Sequence, residues 1–333
     1  MYWIINIYFR SVCSVPAAAL IAMGAVGAAA PAWSQSYPVR PIRVIVPTSP
    51  PGGADVVARL MATGMSERLG QQVVVENRAG ASTMIGGEAA ARAAPDGYTL
   101  LMGISTLAIN PAAFKRVPYD ALRDFVPITH AVKQTMMLVA HPSFPAKTVK
   151  ELVAIAKARP GDVVYSSAGF GTNPQMGMVL LLYLTGSRML HVPYRGGGES
   201  IIAVTSGQVS VSINSMLGVL PQVRAGRLRA LGVTSVNRVA GIPEVPTIAE
   251  AGVPGYESLQ WYGLLAPTGV SRDIVARVSK EAVAVLRSPD IVERLARDGG
   301  EVVASTPEEF GAYLRAETEK WAKVARATGL QRE

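Results

Sequence analysis

The sequence predicts an α/β protein of two lobes, each built on a parallel sheet, with two long strands crossing between them. Short apolar strands alternate with helical segments, which favours parallel pairing and ligands at the carboxyl ends of the strands. Two long extended stretches, Phe125–Ala140 and Ser258–Leu265, interrupt that alternation and are interpreted as the crossings. Three helices follow and are expected to return to the first lobe, so that hinge closure can enclose a ligand.

The N-terminus has the pattern of a secretory signal peptide. A positive residue precedes the uncharged run Val15–Ala30, and small residues suit cleavage near Ala32 or Ser34. We therefore assign residues 1–34 to a cleaved leader and expect a periplasmic protein. A retained membrane anchor is the alternative, but the run is short and Pro16 interrupts it.

Composition places the mature chain among globular proteins. The sequence has 333 residues, 49% hydrophobic and 17% charged, which leaves room for two domains and a sizeable core. Its single cysteine, Cys13, lies in the predicted leader. Without the leader, whose only charge is Arg10, 31 Lys and Arg face 24 Asp and Glu, a net charge of +7. The basic residues are scattered, so we expect no nucleic-acid partner and a mostly solubilising basic surface.

Apolar spacing and punctuating residues place the elements of the first lobe. Val57, Met61 and Met65 fall at helical spacing before Gly70, which ends their helix. The predicted elements are a strand at Ile42–Val46, that helix, a strand at Val73–Val75, a helix at Ile85–Ala94 and a strand at Tyr98–Met102. Residues 37–136 and 261–333 are assigned to this lobe.

Residues 137–260 are assigned to the second lobe. Thr148 and Glu151 have the spacing of a capping box at a helix start. The other predicted elements are strands at Val163–Tyr165, His191–Val192, Val209–Ile213 and Leu228–Thr234, a helix at Met176–Leu184 and another helix after Gly198. In the returning segment, Thr306–Glu309 forms another capping box for the last helix, which Gly329 ends.

The stretch Tyr165–Tyr183 carries the strongest binding signal. A strand end leads into Ser166–Thr172, a turn rich in hydroxyls and glycine. Asn173 followed by Pro174 then predicts a helix start at which Asn173 caps the free N–H groups. Such a helix N-terminus can bind an anion without a basic side chain. The alternative is a tight strand-to-helix turn that binds nothing.

Three other predicted strands also end in loops of Gly, Ser or Thr. These loops are Thr48–Asp55, Gly103–Thr106 and Arg195–Gly198, so that two loops face from each lobe and together favour a cleft for carboxylate. Asp55 either caps its own helix or accepts a hydrogen bond from the ligand. The pair Trp261-Tyr262 lies on the second crossing, where it either packs in the core or forms a cleft wall.

The sequence contains few signatures of catalysis. The three histidines are dispersed without metal-ligand spacing, and Gly-x-Ser-x-Gly is absent. The pair Gly169 and Gly171 resembles a dinucleotide turn, but Pro174 replaces the third glycine. We therefore expect no metal, no cofactor and no enzymatic activity. The alternative is an exported hydrolase using Ser167 or Thr172, although no histidine has a sequence reason to lie beside either hydroxyl.

Ordered motifs cover nearly the whole mature chain. They are V-P-x-x-P-x-G-G-x-D at Val46–Asp55, V-E-N-R-x-G at Val75–Gly80, A-x-P-D-G-Y-T-L-L at Ala93–Leu101, Y-S-S-x-G-x-G-T at Tyr165–Thr172, H-V-P-Y-R-G-G at His191–Gly197 and I-P-E-V-P-T-I-A-E-A-G at Ile242–Gly252. In these motifs the chain resembles the Bug-type solute-binding proteins, the periplasmic receptors of tripartite tricarboxylate transporters.

The resemblance implies a two-domain periplasmic-binding-protein (Venus flytrap) fold. It implies that a ligand carboxylate is held by backbone amides of the first-lobe Gly-rich loop and of the Ser/Gly/Thr loop in the second. Family ligands are di- and tricarboxylates, aromatic acids, acidic amino acids and nicotinate-type compounds. The implied partners are a small organic anion and an integral-membrane permease, with a sensor protein as the alternative to the permease. We expect a monomer.

Three positions depart from the family pattern. Pro51 replaces an expected glycine and removes one amide donor, and Gln175 stands where a histidine is usual. Asn214-Ser215 replaces an Asp-Asn pair, so a negative charge is missing from the cleft. These departures concern the ligand and not the fold. The predicted ligand-binding residues are Thr48, Ser49, Gly52, Gly53, Asp55, Ser105, Ser166, Ser167, Ala168, Gly169, Gly171, Thr172, Asn173 and Asn214.

Overall fold

The computed structural model describes residues 37–50, 52–297 and 299–330. The predicted leader with Cys13, and Pro51 in the first loop, lie outside the described residues. The residues from Tyr37 onward cluster into one unit. Within the described part of the chain, no helix is long and apolar enough to cross a membrane.

Strands and helices alternate along the chain as predicted. The strands are β1 (Ile42–Val46), β2 (Val73–Asn77), β3 (Thr99–Ile104), β4 (Phe125–Ala140), β5 (Val164–Ser167), β6 (Leu190–Pro193), β7 (Val211–Ser215), β8 (Arg229–Val233), β9 (Leu259–Pro267) and β10 (Gly300–Val302). The helices are α1 (Gly53–Leu69), α2 (Met84–Ala91), α3 (Thr106–Ala113), α4 (Val149–Ala158), α5 (Asn173–Thr185), α6 (Gly197–Thr205), α7 (Met216–Arg224), α8 (Arg272–Leu286), α9 (Pro289–Arg297) and α10 (Pro307–Thr328). A 3-10 turn at Ala81–Thr83 precedes α2.

One mixed sheet runs through the molecule in the order β2-β1-β3-β9-β4-β7-β5-β6, and β8 and β10 also pair with β4. The predicted parallel pairing is confirmed where β1 joins β2 and β3, and where β5 joins β6 and β7. Strand β9 is antiparallel to β3 and β4 because the two crossings run in opposite directions.

Strand β4 is the first predicted crossing. Its part Phe125–Thr135 pairs with β9, and its end Met136–Ala140 pairs with β7 and β8. We call β1–β3, β9, β10 and the first part of β4 the first strand group, and β5–β8 with the end of β4 the second strand group. The second crossing, β9, pairs within the first group, and the Ser258 N–H before it donates to Thr234 O of the second at 3.0 Å.

Two of the helix starts test the predicted capping boxes. At α10 both arms form: Thr306 Oγ1 accepts from the Glu309 N–H, and the Glu309 carboxylate accepts from the Thr306 N–H. At α4 the Thr148 side chain accepts from the Glu151 N–H, but the Glu151 carboxylate accepts from the Lys147 N–H instead. The box at α4 therefore forms only the bond to the Thr148 side chain, and the Glu151 carboxylate bonds one residue before the N-cap.

Three elements were not predicted from the sequence, namely α3, α7 and β10. Helices α3 and α7 each contain an interior proline, Pro111 and Pro221, which on local grounds argues against a helix. Helix α3 forms because it packs between β3 and α10. It shortens the predicted loop Gly103–Thr106 to Ser105, which joins β3 directly to α3.

An aromatic cluster packs beneath the crossing strands. His130 of β4 stacks on Tyr313 of α10 with ring centroids 4.5 Å apart, and Trp261 of β9 lies edge-on to Phe310 at 5.7 Å. Trp261 is fully buried and Tyr262 is 6% exposed, so both belong to the core and not to an open wall. Burial lowers the pKa of His130 to about 4.

Candidate functional site

The turn between β5 and α5, residues 168–172, has the backbone geometry that its glycines predict. Gly169 and Gly171 have φ values of +126° and +72°, a region in which residues with a Cβ are strained. Side chains close the turn: the Ser167 hydroxyl accepts from the Gly169 N–H at 3.2 Å, and Thr172 Oγ1 donates to Gly169 O at 2.7 Å. Ala168 is half-buried between them. These hydroxyls therefore shape the loop.

Helix α5 begins at Asn173, with Thr172 in the N-cap position and no side-chain cap. The prediction that Asn173 caps the helix is wrong, because its Oδ1 accepts from the Ser258 hydroxyl at 3.0 Å. The Thr172 hydroxyl cannot replace it, since it donates within the turn. The positive end of α5 is left without a side-chain cap, which is the condition for binding an anion there.

Two buried polar atoms in the predicted loops, Asn173 Nδ2 and Thr48 Oγ1, have no hydrogen-bond partner among the described residues. Asn173 is 1% exposed, and the bond from Ser258 to Oδ1 leaves Nδ2 as the donor end. An unpartnered buried polar group costs about 1–3 kcal/mol, so a ligand acceptor at Nδ2 relieves a cost already present. Three further atoms of this kind belong to Asn110, His130 and Trp261.

Asp55 is occupied by protein partners. Its carboxylate accepts from Arg59 Nε and from Asn77 Nδ2, both at 2.9 Å, and the Arg59 hydrogen bond lowers the pKa of Asp55. Asn77 also donates to Thr48 O at 3.0 Å, so Asn77, at the end of β2, links Asp55 of α1 to the first loop. Asp55 therefore positions the loop with its charge balanced by Arg59.

The glycines of the first loop allow close packing against the crossing strands. A Cβ at Gly53 would overlap the Tyr262 hydroxyl, which itself donates to Gln134 Oε1 at 3.0 Å. A Cβ at Gly52 would lie 3.2 Å from Ser49 O, and Ser49 is exposed. Glycine at position 53 thus brings the N-terminus of α1 against β9.

Ser105, Ser166 and Asn214 are buried behind the loops. Ser105 Oγ donates to a glutamine side chain of β9 at 2.7 Å. Asn214 Nδ2 donates to the hydroxyls of Ser200 and Ser212, and Ser166 bonds to Ser200 in the same network. Ser105 therefore supports its loop from within the first strand group, and Ser166 and Asn214 support theirs from within the second. An aspartate in place of Asn214 would have no N–H to donate, so these hydroxyls would have to donate to its carboxylate instead.

The fourth predicted loop, Arg195–Gly198, borders this hydroxyl network. A Cβ at Gly197 would lie 3.5 Å from Asn214 Oδ1. The Arg195 backbone N–H donates to the Glu199 carboxylate at 3.1 Å, so the first turn of α6 closes the loop. The Arg195 side chain is not needed for that closure.

His191 lies beside Ser167, contrary to expectation. Ser167 Oγ and His191 Nε2 are 2.7 Å apart, and Gln175 Nε2 lies 3.3 Å from His191 Nδ1. The contact arises because β5 and β6 pair Tyr165 with His191, which puts His191 and Ser167 on one face of the sheet. Spacing along the chain cannot show that register. Burial lowers the pKa of His191 to about 4, so the imidazole is neutral near pH 7.

The 168–172 loop also contacts the 3-10 turn before α2 and the C-terminal end of α3. Ser82 Oγ donates to Phe170 O at 3.3 Å, and the Phe114 ring packs edge-on against Phe170 at 5.6 Å. A Cβ at Gly171 would lie 3.6 Å from the Ala113 Cβ, so α3 approaches the loop closely. The sequence motifs did not single out Ser82 or Phe114, since neither has a local signal for this contact.

Two surface grooves lie at other positions. One of about 980 Å³ is lined by residues that include Lys147 and Arg229, and one of about 870 Å³ by residues that include Arg68 and Ser288. Neither is lined by a predicted site residue. The candidate site is therefore defined by the polar groups of the predicted loops and not by these grooves.

A known family of transport receptors matches most of the chain. The family described as "Tripartite tricarboxylate transporter family receptor" matches residues 57–330. The chain belongs to this family. The Bug-type resemblance carried by the motifs is thereby confirmed, and the family is one of solute receptors and not of enzymes.

Relatives of this receptor agree with it in sequence and fold. It is 36% identical to protein BugT of Bordetella pertussis over 307 residues, which cover 92% of the receptor and 94% of BugT. An R. palustris protein solved with adipate shares 31% identity and a TM-score of 0.79, over 88% of the receptor and 98% of that chain. MatC from Rhodopseudomonas palustris with bound malate shares 30% identity and a TM-score of 0.77, over 87% and 100%. The predicted periplasmic-binding-protein fold is confirmed.

Proposed function

We propose that this receptor captures a small carboxylate-bearing organic anion in a cleft between two lobes. Residues 37–136 with 261–333 form one lobe, and residues 137–260 form the other. The observation that carries the proposal is the uncapped start of α5, where the buried amide Asn173 Nδ2 has no partner. A carboxylate oxygen at this point meets both a hydrogen-bond donor and the positive end of a helix.

The proposed cradle contains no cationic side chain. No Lys or Arg occurs in Pro47–Asp55 or Tyr165–Pro174, so hydrogen-bond donors and the helix end hold the carboxylate. The donors are Asn173 Nδ2, N–H groups of the first turn of α5 and the Thr48 hydroxyl. Each charge-assisted hydrogen bond contributes about 1.5–3 kcal/mol. The N–H groups of Gly169 and Gly171 already donate to the side chains of Ser167 and Gln175. These two loop amides are therefore not among the proposed donors to the carboxylate, although the family resemblance implied that loop amides hold it.

The ligands of two structural relatives support the proposed class. Adipate and malate, named in those structures, are both dicarboxylates. We therefore place di- and tricarboxylates first, ahead of aromatic acids and acidic amino acids. The neutral Asn214 supports this order, because an aspartate at that position would repel a second carboxylate.

The proposed role of the receptor is delivery to the integral-membrane permease of a tripartite tricarboxylate-type transporter. The family description and the predicted leader support a periplasmic receptor, and we propose that it acts as a monomer. A sensor protein is the alternative partner. Pull-down from membranes with and without ligand separates the two: recovery of a permease supports transport, and recovery of a sensor contradicts it.

A thermal-shift series with matched ligand pairs tests the carboxylate proposal. Malate is compared with malamide and adipate with adipamide, since each neutral diamide keeps the size of its acid. We expect at least one acid to raise the melting temperature with the concentration dependence of mass action, and its diamide to leave it unchanged. Stabilisation by a neutral sugar or a peptide, with none by any carboxylate in a wider panel of organic acids, would refute the proposal.

The contact of Ser167 with His191 favours one second candidate, an exported hydrolase. The 2.7 Å separation is that of a nucleophile and its general base. Steady turnover of an ester or amide, abolished in Ser167→Ala with ligand binding retained, would establish it. Absence of turnover across an ester panel leaves the receptor function alone.

A further inference from the structure

Gln175 occupies the first turn of α5, and it is 1% exposed. Its side chain bonds in two directions. Oε1 accepts from the Gly171 N–H at 2.6 Å, and Nε2 lies 3.3 Å from His191 Nδ1. The backbone N–H can only donate, so the bond to Gly171 fixes which end of the amide faces His191.

The direction of every following bond is then determined. Because Gln175 Nε2 only donates, His191 Nδ1 must accept, and the imidazole proton sits on Nε2. Nε2–H therefore donates to Ser167 Oγ at 2.7 Å, and the Ser167 hydroxyl in turn donates a hydrogen bond to Gly169 O at 3.1 Å. We call this chain of hydrogen bonds the circuit. It begins at Gly171 and ends at Gly169, on either side of Phe170.

We propose that Gln175 is a positioning residue that sets the His191 tautomer and, through Gly171 and Ser167, holds the 168–172 loop ready for the anion. The role of the loop in anion binding rests on the proposed receptor function, whereas the tautomer of His191 is independent of that function. A loop held in place before binding loses less conformational freedom when the ligand arrives, which raises affinity without adding a contact to the ligand.

The proposed bond directions argue against a nucleophilic role for Ser167. A general base must accept the serine proton, and here His191 Nε2 already carries one and donates it. Ser167 thus serves the loop as an acceptor for His191 and for the Gly169 N–H. The hydrolase alternative requires the opposite tautomer.

The circuit also requires a neutral imidazole. A second proton would sit on Nδ1, facing the Gln175 amide hydrogens across 3.3 Å. Among the described residues, the groups that contact the ring are the Tyr165 ring, stacked at 4.8 Å, the Ser167 hydroxyl and the Gln175 amide, none of them charged at neutral pH. The loop is therefore held at neutral pH and loses the Gln175 bond when His191 becomes protonated.

Nitrogen NMR of the histidine rings tests the tautomer directly. The protein has three histidines, so ¹⁵N-histidine labelling gives few signals, and His191→Gln assigns the one in question. We expect the neutral Nε2–H form for His191 at pH 7 in ligand-free protein. The Nδ1–H form would overturn the proposal, whatever the protein binds.

Two substitutions at Gln175 extend the test to binding. In Gln175→Glu the carboxylate accepts from both sides, so His191 acquires a proton on Nδ1 and its pKa rises. In Gln175→Leu both bonds are lost, and we expect the affinity for malate or adipate, whichever binds the wild type, to fall about tenfold. Gln208→Glu, on an exposed turn, is the control and should change neither quantity.

The outcomes separate this proposal from the receptor function. If no carboxylate binds the wild type, the receptor proposal fails while the Nε2–H tautomer and the raised His191 pKa in Gln175→Glu still support Gln175 as a positioning residue. If a carboxylate binds, and folded Gln175→Leu keeps both the wild-type affinity and the wild-type tautomer, the role of Gln175 is refuted and the receptor stands.

Discussion

Asn173 is the side chain on which the proposed anion site depends most. Asn173→Asp exchanges its unpartnered donor for a negatively charged acceptor of the same size. We expect affinity for the bound carboxylate to fall at least about tenfold, since one charge-assisted hydrogen bond is replaced by repulsion. Isothermal titration calorimetry with malate or adipate measures the change.

The control for this charge is Asn237→Asp, which adds the same negative charge at an exposed position of the second strand group's surface. It should leave the affinity within twofold, because exposed charges at a distance are screened. Unchanged affinity in a folded Asn173→Asp variant would mean that the carboxylate does not bind at the start of α5.

Local pattern explains which site residues the sequence could predict. The turn at residues 168–172 was predictable because its glycines and hydroxyls act within a few positions of one another. Ser167 with His191 and Ser82 with Phe170 are 24 and 88 positions apart, and only the folded register brings each pair together. The Asn173 cap was misjudged for the same reason, since Ser258 is 85 positions away.

At the scale of single elements, the capping box of α10 has a measurable effect on stability. Thr306→Ala removes the acceptor for the Glu309 N–H, and we expect the free energy of unfolding to fall by about 1 kcal/mol. Thr318→Ala, within the same helix, removes only a hydroxyl that bonds to Leu314 O. Alanine is the better helix former there, so the control should lose less. Denaturant unfolding of both variants decides, and equal losses would contradict a capping role.

The aromatic cluster under β4 makes stability depend on pH. Burial first, and Lys133 second, lower the pKa of His130 from 6.5 to about 4. Between those values the unfolded chain binds more protons, so this contribution is complete above pH 6.5 and is lost as the pH falls toward 4. We expect His130→Phe to flatten the pH dependence of the unfolding free energy by up to about 1.4 kcal/mol per pH unit in that interval.

Denaturant titrations at pH 7 and pH 4.5 measure this slope. His141→Gln is the control, because His141 lies outside the cluster and bonds to the nearby Ser143. A slope that stays the same in His130→Phe and changes in His141→Gln would place the pH dependence elsewhere.

Element by element, strands and long helices were predictable, whereas three short elements were not. Alternating apolar runs and capping residues identify β1, α1 and α10 within the chain itself. Helices α3 and α7 form despite Pro111 and Pro221, and β10 has three residues. Tertiary packing supplies what local propensity lacks in these three.

For the whole molecule, the contact of α3 with the 168–172 loop offers a test of the proposed lobe movement. The Cβ separation of 3.6 Å between Ala113 and a residue at Gly171 lies within the disulfide range of about 3.5–4.5 Å. We expect the oxidised Ala113→Cys/Gly171→Cys protein to exchange malate or adipate far more slowly than its reduced form, because the disulfide keeps the lobes together. Stopped-flow release before and after reduction measures this.

Comparing the two redox forms of one protein cancels other effects of the substitutions. A Cβ at φ +72° costs about 1–2 kcal/mol, and the Phe114 ring must turn aside, but both redox forms share these costs. The single variants are further controls. Equal release rates in the two forms would show that ligand exchange does not need this contact to open.

Trp261 gives the molecule an optical reporter of its own. Two of the four tryptophans lie within residues 1–34, and Trp261 and Trp321 are both fully buried. Trp261 lies on a crossing strand among the rings of His130, Phe310 and Tyr313. In the proposed closure one lobe rotates against the other, which bends that strand and changes the surroundings of its indole. Ligand-induced closure should therefore appear in the intrinsic emission spectrum, without a dye or a label.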